Sequence, residues 1–497
     1  MIRSKLITRV YLLTLLGAVC AGASLWWFAS LQPVPRDWES PPPKQTVQAA
    51  PLPIEVSGDL AFTNLTVIDV DAGVARPGLT VVVKGDRITA VHPTVSCRVL
   101  ETPRVVDGSG KFLIPGLWDM HVHLVHASLV PLFVQNGVTG VRHMFSFNPF
   151  YRPTAPAVPG DVVYPRIVTA NQMLDGPTTP FTFPAKQNVV IVKDDTTARA
   201  GVRELQKRGN DFVKVYSKLP RDAYFATLDE AKTLGMSVCG HLPHAVSLAE
   251  ACEKGQLTIE HLGGVAIGCS IDEARLMAEL LAEAPGGTAT DTATGWRVQV
   301  KAHESYNSAK AEMLFRKLKK NGTWHTPSLV VARATSTLGE VHVPDPAKSM
   351  PPLVAEFWKR DLKDNGVKLP MLGLSFTKAD LAEWKGLDKK DQELVRQMHK
   401  AGIPILAGTD SPAPYVVPGH SLHDELALFT QAGMTPGEAL RTATLNPARC
   451  LGREKDLGTI APGKFADLVL LAQNPLADIH NTRSIEMVLI GGRIVPR

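Results

Sequence analysis

A repeating alternation of short apolar segments with amphipathic segments runs from residue 117 to residue 409. Helical patterns such as those at 222–234 and 246–254 separate apolar segments that have the length of β-strands. This alternation is typical of parallel βα units. We predict eight strands, at 117–124, 138–144, 166–170, 212–216, 237–242, 257–262, 324–330 and 403–409. Eight βα units favour an α/β fold of the (β/α)8 TIM-barrel type, with its chemistry at the C-terminal ends of the strands.

Short β-strand patterns of one style flank this region on both sides. LAFTNLTVIDV and LTVVVKGDRITAV precede it, and ADLVLL and MVLI follow it, with turns expected at Gly85-Asp86 and Gly491-Gly492. We therefore predict a small β-sandwich built from both chain ends, 56–115 and 451–497, around a barrel domain at 116–450. Two long interruptions of the βα rhythm, at 268–305 and 333–385, are expected to form lids or substrate walls over the barrel mouth.

The N-terminus carries basic residues followed by an apolar segment at 10–31. This pattern predicts an export signal or a membrane anchor that places the bulk of the chain in the periplasm or another extracytoplasmic space. Within residues 1–31, Ala21-Gly22-Ala23 is a plausible cleavage site and favours a signal peptide, whereas Trp26-Trp27 favours an uncleaved anchor. A buried core helix is the remaining alternative. The proline-rich residues 32–55 predict a stiff, extended linker.

Composition excludes several other classes of protein. The formal net charge of +5 is spread over 497 residues without a block of Lys and Arg, so no nucleic-acid partner is expected. The six cysteines lie far apart without CxxC spacing, which fits neither a zinc knuckle nor a disulfide framework.

Side chains that bind metals lie at the ends of several predicted strands. IPGLWDMHVHLVH places His121 and His123 two residues apart, so both face the same side of one strand. Other strands end in His241, His261 and Asp410. The HxH pair alone is equally compatible with ordinary polar residues near a surface. Because the C-terminal ends of barrel strands meet at one rim, four histidines with Asp410 predict a metal site.

Lys214 lies within the strongly apolar strand DFVKVY. A lysine that faces a barrel interior is costly unless it is paired or neutral. A neutral amine can react with carbon dioxide, and the resulting carbamate has two oxygens that can bridge two cations. The alternative is a salt bridge between Lys214 and an acid such as Glu260.

Together these residues predict two divalent metal ions that share a bridge. Imidazole and carboxylate groups suit zinc, iron or manganese, and zinc is the expected ion. Two ions about 3.5–4 Å apart can hold a hydroxide between them at neutral pH. One ion would polarise a carbonyl group for attack by the hydroxide, and Asp410 would carry the proton to the leaving group.

The combination of PGLWDMHVHL, DFVKVY, VCGHLPH, TIEHL and ILAGTDS resembles the amidohydrolase superfamily, in particular its prolidase-like and imidazolonepropionase-like members. The resemblance implies that His121 and His123 bind the more buried metal and that His241 and His261 bind the second. It also implies that Lys214 is the carboxylated bridge and that Asp410 is both a ligand and the proton shuttle. The chain departs from the pattern at VRHMFS, HLPH and TWHTPSLV, where a substrate would be held.

Four further residues near strand ends are candidates for substrate binding. An arginine or histidine could bind a substrate carboxylate, and a tyrosine could donate a hydrogen bond to a tetrahedral oxyanion. These candidates are Arg142, Tyr216, His244 and His325. The alternative for each is a lid contact or loop packing.

The function expected from the sequence is an exported metal-dependent hydrolase of an amide or peptide C–N bond in a dipeptide or an N-acyl amino acid. A lactonase or phosphoesterase with the same binuclear site is the first alternative, and a non-enzymatic barrel scaffold is the second. The expected partners are a small-molecule or dipeptide substrate, the membrane if residues 10–31 are retained, and a second copy of the chain in a homo-oligomer.

Overall fold

The computed structural model describes residues 54–496 except 101, 149–162, 182–183, 283–288, 338–349, 351, 353, 355–357, 359–360, 364–365 and 370–373. The predicted export segment at 1–31 lies outside the described residues, as does the predicted linker at 32–55 apart from its last two residues. Those two residues belong to a strand that begins at Ile54. Within the described ranges, no helix is both long enough and apolar enough to cross a membrane.

The described residues form β-strands in most parts of the chain and α-helices from residue 130 onwards. The strands are β1 (Ile54–Val56), β2 (Leu60–Asp69), β3 (Val74–Lys84), β4 (Arg87–Pro93), β5 (Cys97–Val99), β6 (Arg104–Asp107), β7 (Phe112–Pro115), β8 (Leu117–Val122), β9 (Val138–His143), β10 (Arg166–Thr169), β11 (Met173–Asp175), β12 (Val189–Ile191), β13 (Val213–Val215), β14 (Val238–Gly240), β15 (Thr258–Glu260), β16 (Trp324–Thr326), β17 (Asp361–Lys363), β18 (Gly366–Leu369), β19 (Leu374–Thr377), β20 (Leu468–Leu471), β21 (Ile485–Ile490) and β22 (Arg493–Ile494). The α-helices are α1 (Val130–Gln135), α2 (Asp195–Lys207), α3 (Arg221–Thr233), α4 (Leu248–Glu253), α5 (Val265–Gly268), α6 (Glu273–Leu281), α7 (Ala289–Glu304), α8 (Ser308–Asn321), α9 (Leu329–Ser336), α10 (Lys378–Trp384), α11 (Leu387–Ala401), α12 (His420–Gln431), α13 (Pro436–Thr442) and α14 (Leu445–Cys450).

Parallel strands separated by helices make this a mixed α/β fold. One parallel sheet has the order β10-β9-β8, and another has the order β12-β11-β13-β14-β15-β16. Six of the predicted strands correspond to β8, β9, β10, β13, β14 and β15, each shorter than predicted. The sequence analysis missed β11 and β12, each of which is only three residues long.

The last two predicted strands need correction. The strand predicted at 324–330 ends at Thr326, because Pro327 offers no N–H, Ser328 adopts a left-handed φ of 50°, and α9 follows. The segment at 403–409 forms isolated parallel bridges, His325 with Ile405 and Val122 with Ser411, rather than a regular strand. Its ladder is interrupted because the N–H of Thr409 donates to the Asp119 side chain, at 2.9 Å, instead of to a neighbouring strand.

Both chain ends contribute to one eight-stranded sheet. Its order is β22-β21-β20-β7-β2-β3-β4, with β6 also pairing with β2. Strand β20 runs antiparallel to β7, which joins the C-terminal strands to the N-terminal ones. A second, two-stranded sheet of β1 and β5 covers part of one face through Val56 and Val99. The two predicted turns are confirmed, because Lys84 pairs with Arg87 and Ile490 pairs with Arg493.

A buried glutamate connects two helices of the α/β region. Glu425, within α12, is fully buried and accepts hydrogen bonds from the backbone N–H groups of Leu329, at 3.0 Å, and Val330, at 2.8 Å. These amides open α9, where unpaired N–H groups favour a carboxylate. Burial nevertheless dominates and raises the pKa of Glu425 to about 8.

This shift makes the stability of the chain depend on pH. The folded-state pKa of about 8 exceeds the ordinary value of 4.5, so the stabilisation is complete below 4.5 and is lost as the pH rises through about 8. We expect the melting temperature of Glu425→Gln to fall less than that of the wild type as the pH rises from 4.5 to above 8. Glu312→Gln, at a side chain that is 71% exposed, is the control. Parallel pH profiles for the wild type and Glu425→Gln would contradict the assignment.

Candidate metal centre

The two histidines of the HxH pair converge on one carboxylate oxygen. His121 lies on β8, and His123 follows the last residue of that strand. The Nε2 atoms of His121 and His123 lie 3.3 Å and 2.9 Å from Oδ1 of Asp410. The spacing of two residues along an extended chain explains this common direction. A segment almost 290 residues away in sequence therefore meets both imidazoles.

His261 and His241 complete the group of histidines. His261 Nε2 lies 3.9 Å from Oδ2 of Asp410, and the His261 ring centroid lies 4.6 Å from that of His121 and 5.0 Å from that of His241. His261 and Asp410 adopt left-handed φ values of 55° and 58°, which are unusual for residues other than glycine. The chain thus leaves its extended path where each side chain enters the site, a form of strain that clusters at functional sites.

Gly408 allows the two ligand-bearing segments to approach each other closely. A Cβ atom at this position would lie 2.4 Å from Cγ2 of Thr326 and 2.9 Å from the backbone nitrogen of His121. Both distances are shorter than any normal contact. Any side chain here would therefore push Asp410 away from the histidines of β8.

The side chains present fit a divalent metal ion. His121, His261 and Asp410 offer ligand atoms that all lie within 4.8 Å of one another. Three buried nitrogens, His121 Nε2, His241 Nδ1 and Lys214 Nζ, have no hydrogen-bond partner among the described residues. Leaving such a group unpaired costs about 1–3 kcal/mol. A nitrogen and oxygen donor set of this kind is suited to zinc and related ions.

The protonation states favour metal binding. Burial, with smaller contributions from neighbouring cationic groups, holds the pKa values of His121 and His241 well below the usual range, so both imidazoles are neutral. Burial tends to raise the pKa of Asp410, but the surrounding side chains of His261 and His121 and the hydrogen bond with His123 outweigh it, so the pKa lies below its ordinary value. The neutral imidazoles of His121 and His241 therefore lie in one cluster with the anionic carboxylate of Asp410.

Lys214 lies in the middle of β13 and is only 1% exposed. Burial lowers the pKa of its amine to about 8, although Glu260 and Asp410 act in the opposite direction. The alternative, a salt bridge between Lys214 and Glu260, is not formed. The Glu260 carboxylate is hydrogen-bonded to His121 and Arg142 instead, and Lys214 Nζ has no hydrogen-bond partner among the described residues. A buried amine with a lowered pKa is the form that can react with carbon dioxide.

Glu260 holds the His121 ring in position through a hydrogen bond at Nδ1. One of its oxygens lies 2.8 Å from His121 Nδ1, and the other accepts a hydrogen bond from Arg142 Nη2 at 2.9 Å. A carboxylate at Nδ1 places the proton on that nitrogen and leaves Nε2 free to face Asp410. The sequence analysis named Glu260 only as an alternative partner of Lys214. Its position directly before His261, at the end of β15, was the available signal.

Arg142 belongs to the same buried layer. It is 1% exposed, and its guanidinium donates to the carbonyl of Met120, to the hydroxyls of Thr258 and Thr326, and to Glu260. It does not line the cavity described below. Its donors are therefore directed at the interior of the protein rather than toward a ligand.

Asp119 joins the two segments that carry His121 and Asp410. It accepts hydrogen bonds from the backbone N–H of His121, at 3.3 Å, and from the N–H and hydroxyl of Thr409, at 2.9 Å and 2.6 Å. Burial raises its pKa to about 7, although these hydrogen bonds lower it. The sequence analysis missed Asp119, for which an acid between Trp118 and Met120 in an apolar strand was the signal.

A cavity of about 370 Å³ opens onto the cluster, with His241, His261 and Asp410 among its lining residues. His244 also lines this cavity, and burial followed by the effect of Lys218 lowers its pKa to about 4. Helices α6 and α7, from the interruption at 268–305, contribute to the wall, as do residues of α9.

Tyr216 and His325 have different surroundings. The Tyr216 ring centroid lies 4.2 Å from that of His241 and 5.0 Å from that of Phe181, which places Tyr216 beside the cluster. His325 is fully buried, does not line the cavity, and has no hydrogen-bond partner for either ring nitrogen among the described residues. Its pairing with Ile259 and Ile405 places it in an apolar layer. A role of either residue in substrate binding stays a prediction.

The amidohydrolase family model matches residues 112–495. The chain belongs to the amidohydrolase family. An imidazolonepropionase of Geobacillus kaustophilus (strain HTA426) is 36% identical over 104 residues, which cover 20% of this chain and 24% of that protein. The chain thus spans only about a quarter of the length of this and two other curated imidazolonepropionases that it matches.

Two longer matches extend over most of the chain. An imidazolonepropionase of Alkaliphilus oremlandii (strain OhILAs) is 23% identical over 449 residues, which cover 86% of this chain and 92% of that protein. The structure of a Xaa-Pro dipeptidase with methionine bound in its active site has a TM-score of 0.60 and 17% identity, and the match covers 88% of this chain and 99% of that one. At this level of identity the likeness shows the fold alone.

If Glu260 orients His121, its removal should weaken metal binding without abolishing it. We expect Glu260→Gln to lower the affinity for zinc by about 10–100-fold, as loss of an outer-shell partner commonly does. The measurement is a competition titration against a chelator, with circular dichroism to verify folding. Glu253→Gln, at a side chain that is 52% exposed, is the matched control. Equal zinc affinity for wild type and Glu260→Gln would contradict the assignment.

Proposed function

We propose that this chain is a metal-dependent hydrolase that cleaves the C–N bond of an amide or peptide in a small molecule, with dipeptides and N-acyl amino acids as the first substrates to test. The observation that carries the proposal is the convergence of His121, His123 and His261 on the Asp410 carboxylate. Membership of the amidohydrolase family supports it, as does the fold shared with a dipeptidase.

The proposal includes a closed (β/α)8 barrel as the scaffold of the site. The two parallel sheets and the backbone bridges of Ile405 and Ser411 support it, because these bridges connect β16 and β8 through one segment. On the other side, the N–H of Asp211, before β13, donates to the carbonyl of Thr169, the last residue of β10. A closed barrel would bring all the strand ends that bear ligands to one rim.

The residues proposed to hold two metal ions, expected to be zinc, fall into two sets. His121 and His123 would hold one ion, His241 and His261 would hold the other, and Asp410 would contribute a carboxylate oxygen. Bound ions of this kind polarise a carbonyl group and make water nucleophilic at neutral pH.

Lys214 is proposed to carry a carbamate. Its neutral Nζ would form an N–C bond with carbon dioxide and lose one proton, which would leave an anion whose two oxygens could each serve as a ligand for one of the two ions. The burial of Nζ and its lack of a hydrogen-bond partner among the described residues support this assignment. The apolar strand excludes water that would stabilise a protonated amine.

Asp410 is proposed to move the proton during hydrolysis. Its carboxylate would accept the proton of the attacking water and donate it to the nitrogen of the leaving group, which departs as a neutral amine. His244 lines the cavity and Tyr216 lies beside His241, so both are proposed to contact the substrate. We also propose, from residues 1–31 alone, that the chain is exported.

Removal of the proton carrier should abolish turnover. We expect Asp410→Asn to lower kcat by at least about a hundredfold on any hydrolysed dipeptide, because an amide cannot accept the proton. Asp229→Asn, on a side chain that is 67% exposed, should retain wild-type kcat. Far-UV circular dichroism should be unchanged in both variants. A fully active Asp410→Asn enzyme would remove the basis of the mechanism.

The bridge can be tested by chemical rescue. We expect Lys214→Ala to lose activity that formate or acetate partly restores, because a small carboxylate can replace the carbamate oxygens. The same acids should not activate the wild-type enzyme. Mass spectrometry that finds Lys214 unmodified in an active preparation with two metal ions would refute the carbamate.

The reaction class can be tested with a panel of dipeptides, lactones and phosphotriesters offered to the metal-loaded protein. The proposal predicts hydrolysis of the C–N bond in the first group. Activity confined to the lactones and phosphotriesters would reassign the same site to ester chemistry, and inactivity on every panel would favour a scaffold.

A further inference from the structure

Apolar side chains form most of the wall of the cavity that ends at His241, His261 and Asp410. Leu242, Ile267 and Val331 come from the α/β region, while Met277, Leu280 and Trp296 come from the helices α6 and α7 of the 268–305 segment. The Trp296 ring packs against Trp384, with ring centroids 5.7 Å apart, which fixes its position in the wall. The cavity volume of about 370 Å³ lies in the range of small-molecule sites.

The charged side chains of this wall are already paired. Apart from Glu260 and Asp410, the lining acids among the described residues are Glu273 and Asp391. Glu273 accepts a hydrogen bond from Lys310 Nζ at 2.8 Å, and Asp391 lies 3.0 Å from His303 Nε2. No lysine or arginine lines the cavity within the part of the chain that the structure describes.

Arg142 does not provide the missing cation. Its guanidinium is committed to Glu260 and three other acceptors beneath the cluster. Among the described residues, a free carboxylate on the substrate would therefore meet an apolar wall with two acids and no lysine or arginine opposite it. An ammonium group would have to replace Lys310 at Glu273 or compete with His303 for Asp391. Burial of a charge without a partner is strongly unfavourable.

We infer that this cavity selects substrates that carry an apolar side chain and no charged group next to the scissile bond, such as amides of apolar N-acyl amino acids rather than the free acids. The inference rests on the proposed function, which supplies the scissile C–N bond. The side chains that would exclude charged substrates are Met277, Leu280 and Trp296, from the helices of the 268–305 segment. The wall thus provides hydrophobic contact, and His244 remains a polar group near the reacting end.

Three ligands that differ at one terminal group, and hence in charge, test this inference. N-benzoyl-leucinamide is neutral, N-benzoyl-leucine is anionic, and the analogue that ends in an aminomethyl group is cationic. We expect kcat/KM for the neutral ligand to exceed that for either charged ligand by more than about tenfold, because neither charge finds a partner. Calorimetry with ketomethylene analogues, in which CH2 replaces the scissile NH, should give the same order of affinity on the metal-loaded protein.

A cation introduced into the wall should reverse the preference. We expect Met277→Arg to improve binding and hydrolysis of the anionic ligand relative to the neutral one by about tenfold or more. Met313→Arg places the same side chain at a position that is 64% exposed and outside the cavity, and it should leave the ratio unchanged.

The outcomes distinguish failure of the pocket assignment from failure of the proposed function. Tight binding of the neutral analogue without hydrolysis of any ligand would overturn the proposed function and keep the pocket assignment. Preference for the anionic or cationic ligand by the wild type would overturn the pocket assignment alone. Failure to bind any of the three analogues, or an unchanged ratio in Met277→Arg, would also overturn it.

Discussion

The contact of two imidazoles with one oxygen of Asp410 is the constraint on which the rest of the site depends. His121 and His123 bring their Nε2 atoms to this oxygen from one extended segment, and His261 approaches the other oxygen from a different strand. A carboxylate surrounded by imidazoles keeps one position in a buried place only if further groups hold its segment of the chain. Gly408 lets the segment that bears Asp410 approach β8 closely, and Asp119 accepts backbone hydrogen bonds from both segments, which holds them together.

A buried polar layer beneath the cluster connects the ligands to the scaffold. Glu260 contacts His121 on one side and Arg142 on the other, and Arg142 reaches Thr258 and Thr326 on two neighbouring strands. A half-satisfied network of this kind would destabilise the fold, whereas a connected one specifies a single arrangement. The orientation of the His121 ring therefore depends on residues of several strands and not on β8 alone.

The sequence predicted the parts of the site that follow from periodicity. The two-residue spacing of His121 and His123, and the histidines at the ends of other strands, required only the geometry of strands and the rule that parallel strand ends meet. The role of Arg142 could not be predicted this way, since its acceptors come from distant strands. The position of His325 away from the cavity follows from the alternation of side chains along β16. Thr326 contacts Arg142, and adjacent residues of a strand point to opposite faces, so His325 points to the other face. The broken ladder at 403–409 depends on a side chain, Asp119, that competes with backbone pairing.

The most direct test of the account is a metal count on protein purified from its native compartment, combined with identification of the element and compared with His121→Ala. The account predicts two divalent ions per wild-type chain, with zinc expected, and a lower content in the variant. Wild-type protein that remains metal-free after exposure to zinc, or equal metal content in His121→Ala, would contradict the claim that these side chains form one metal centre.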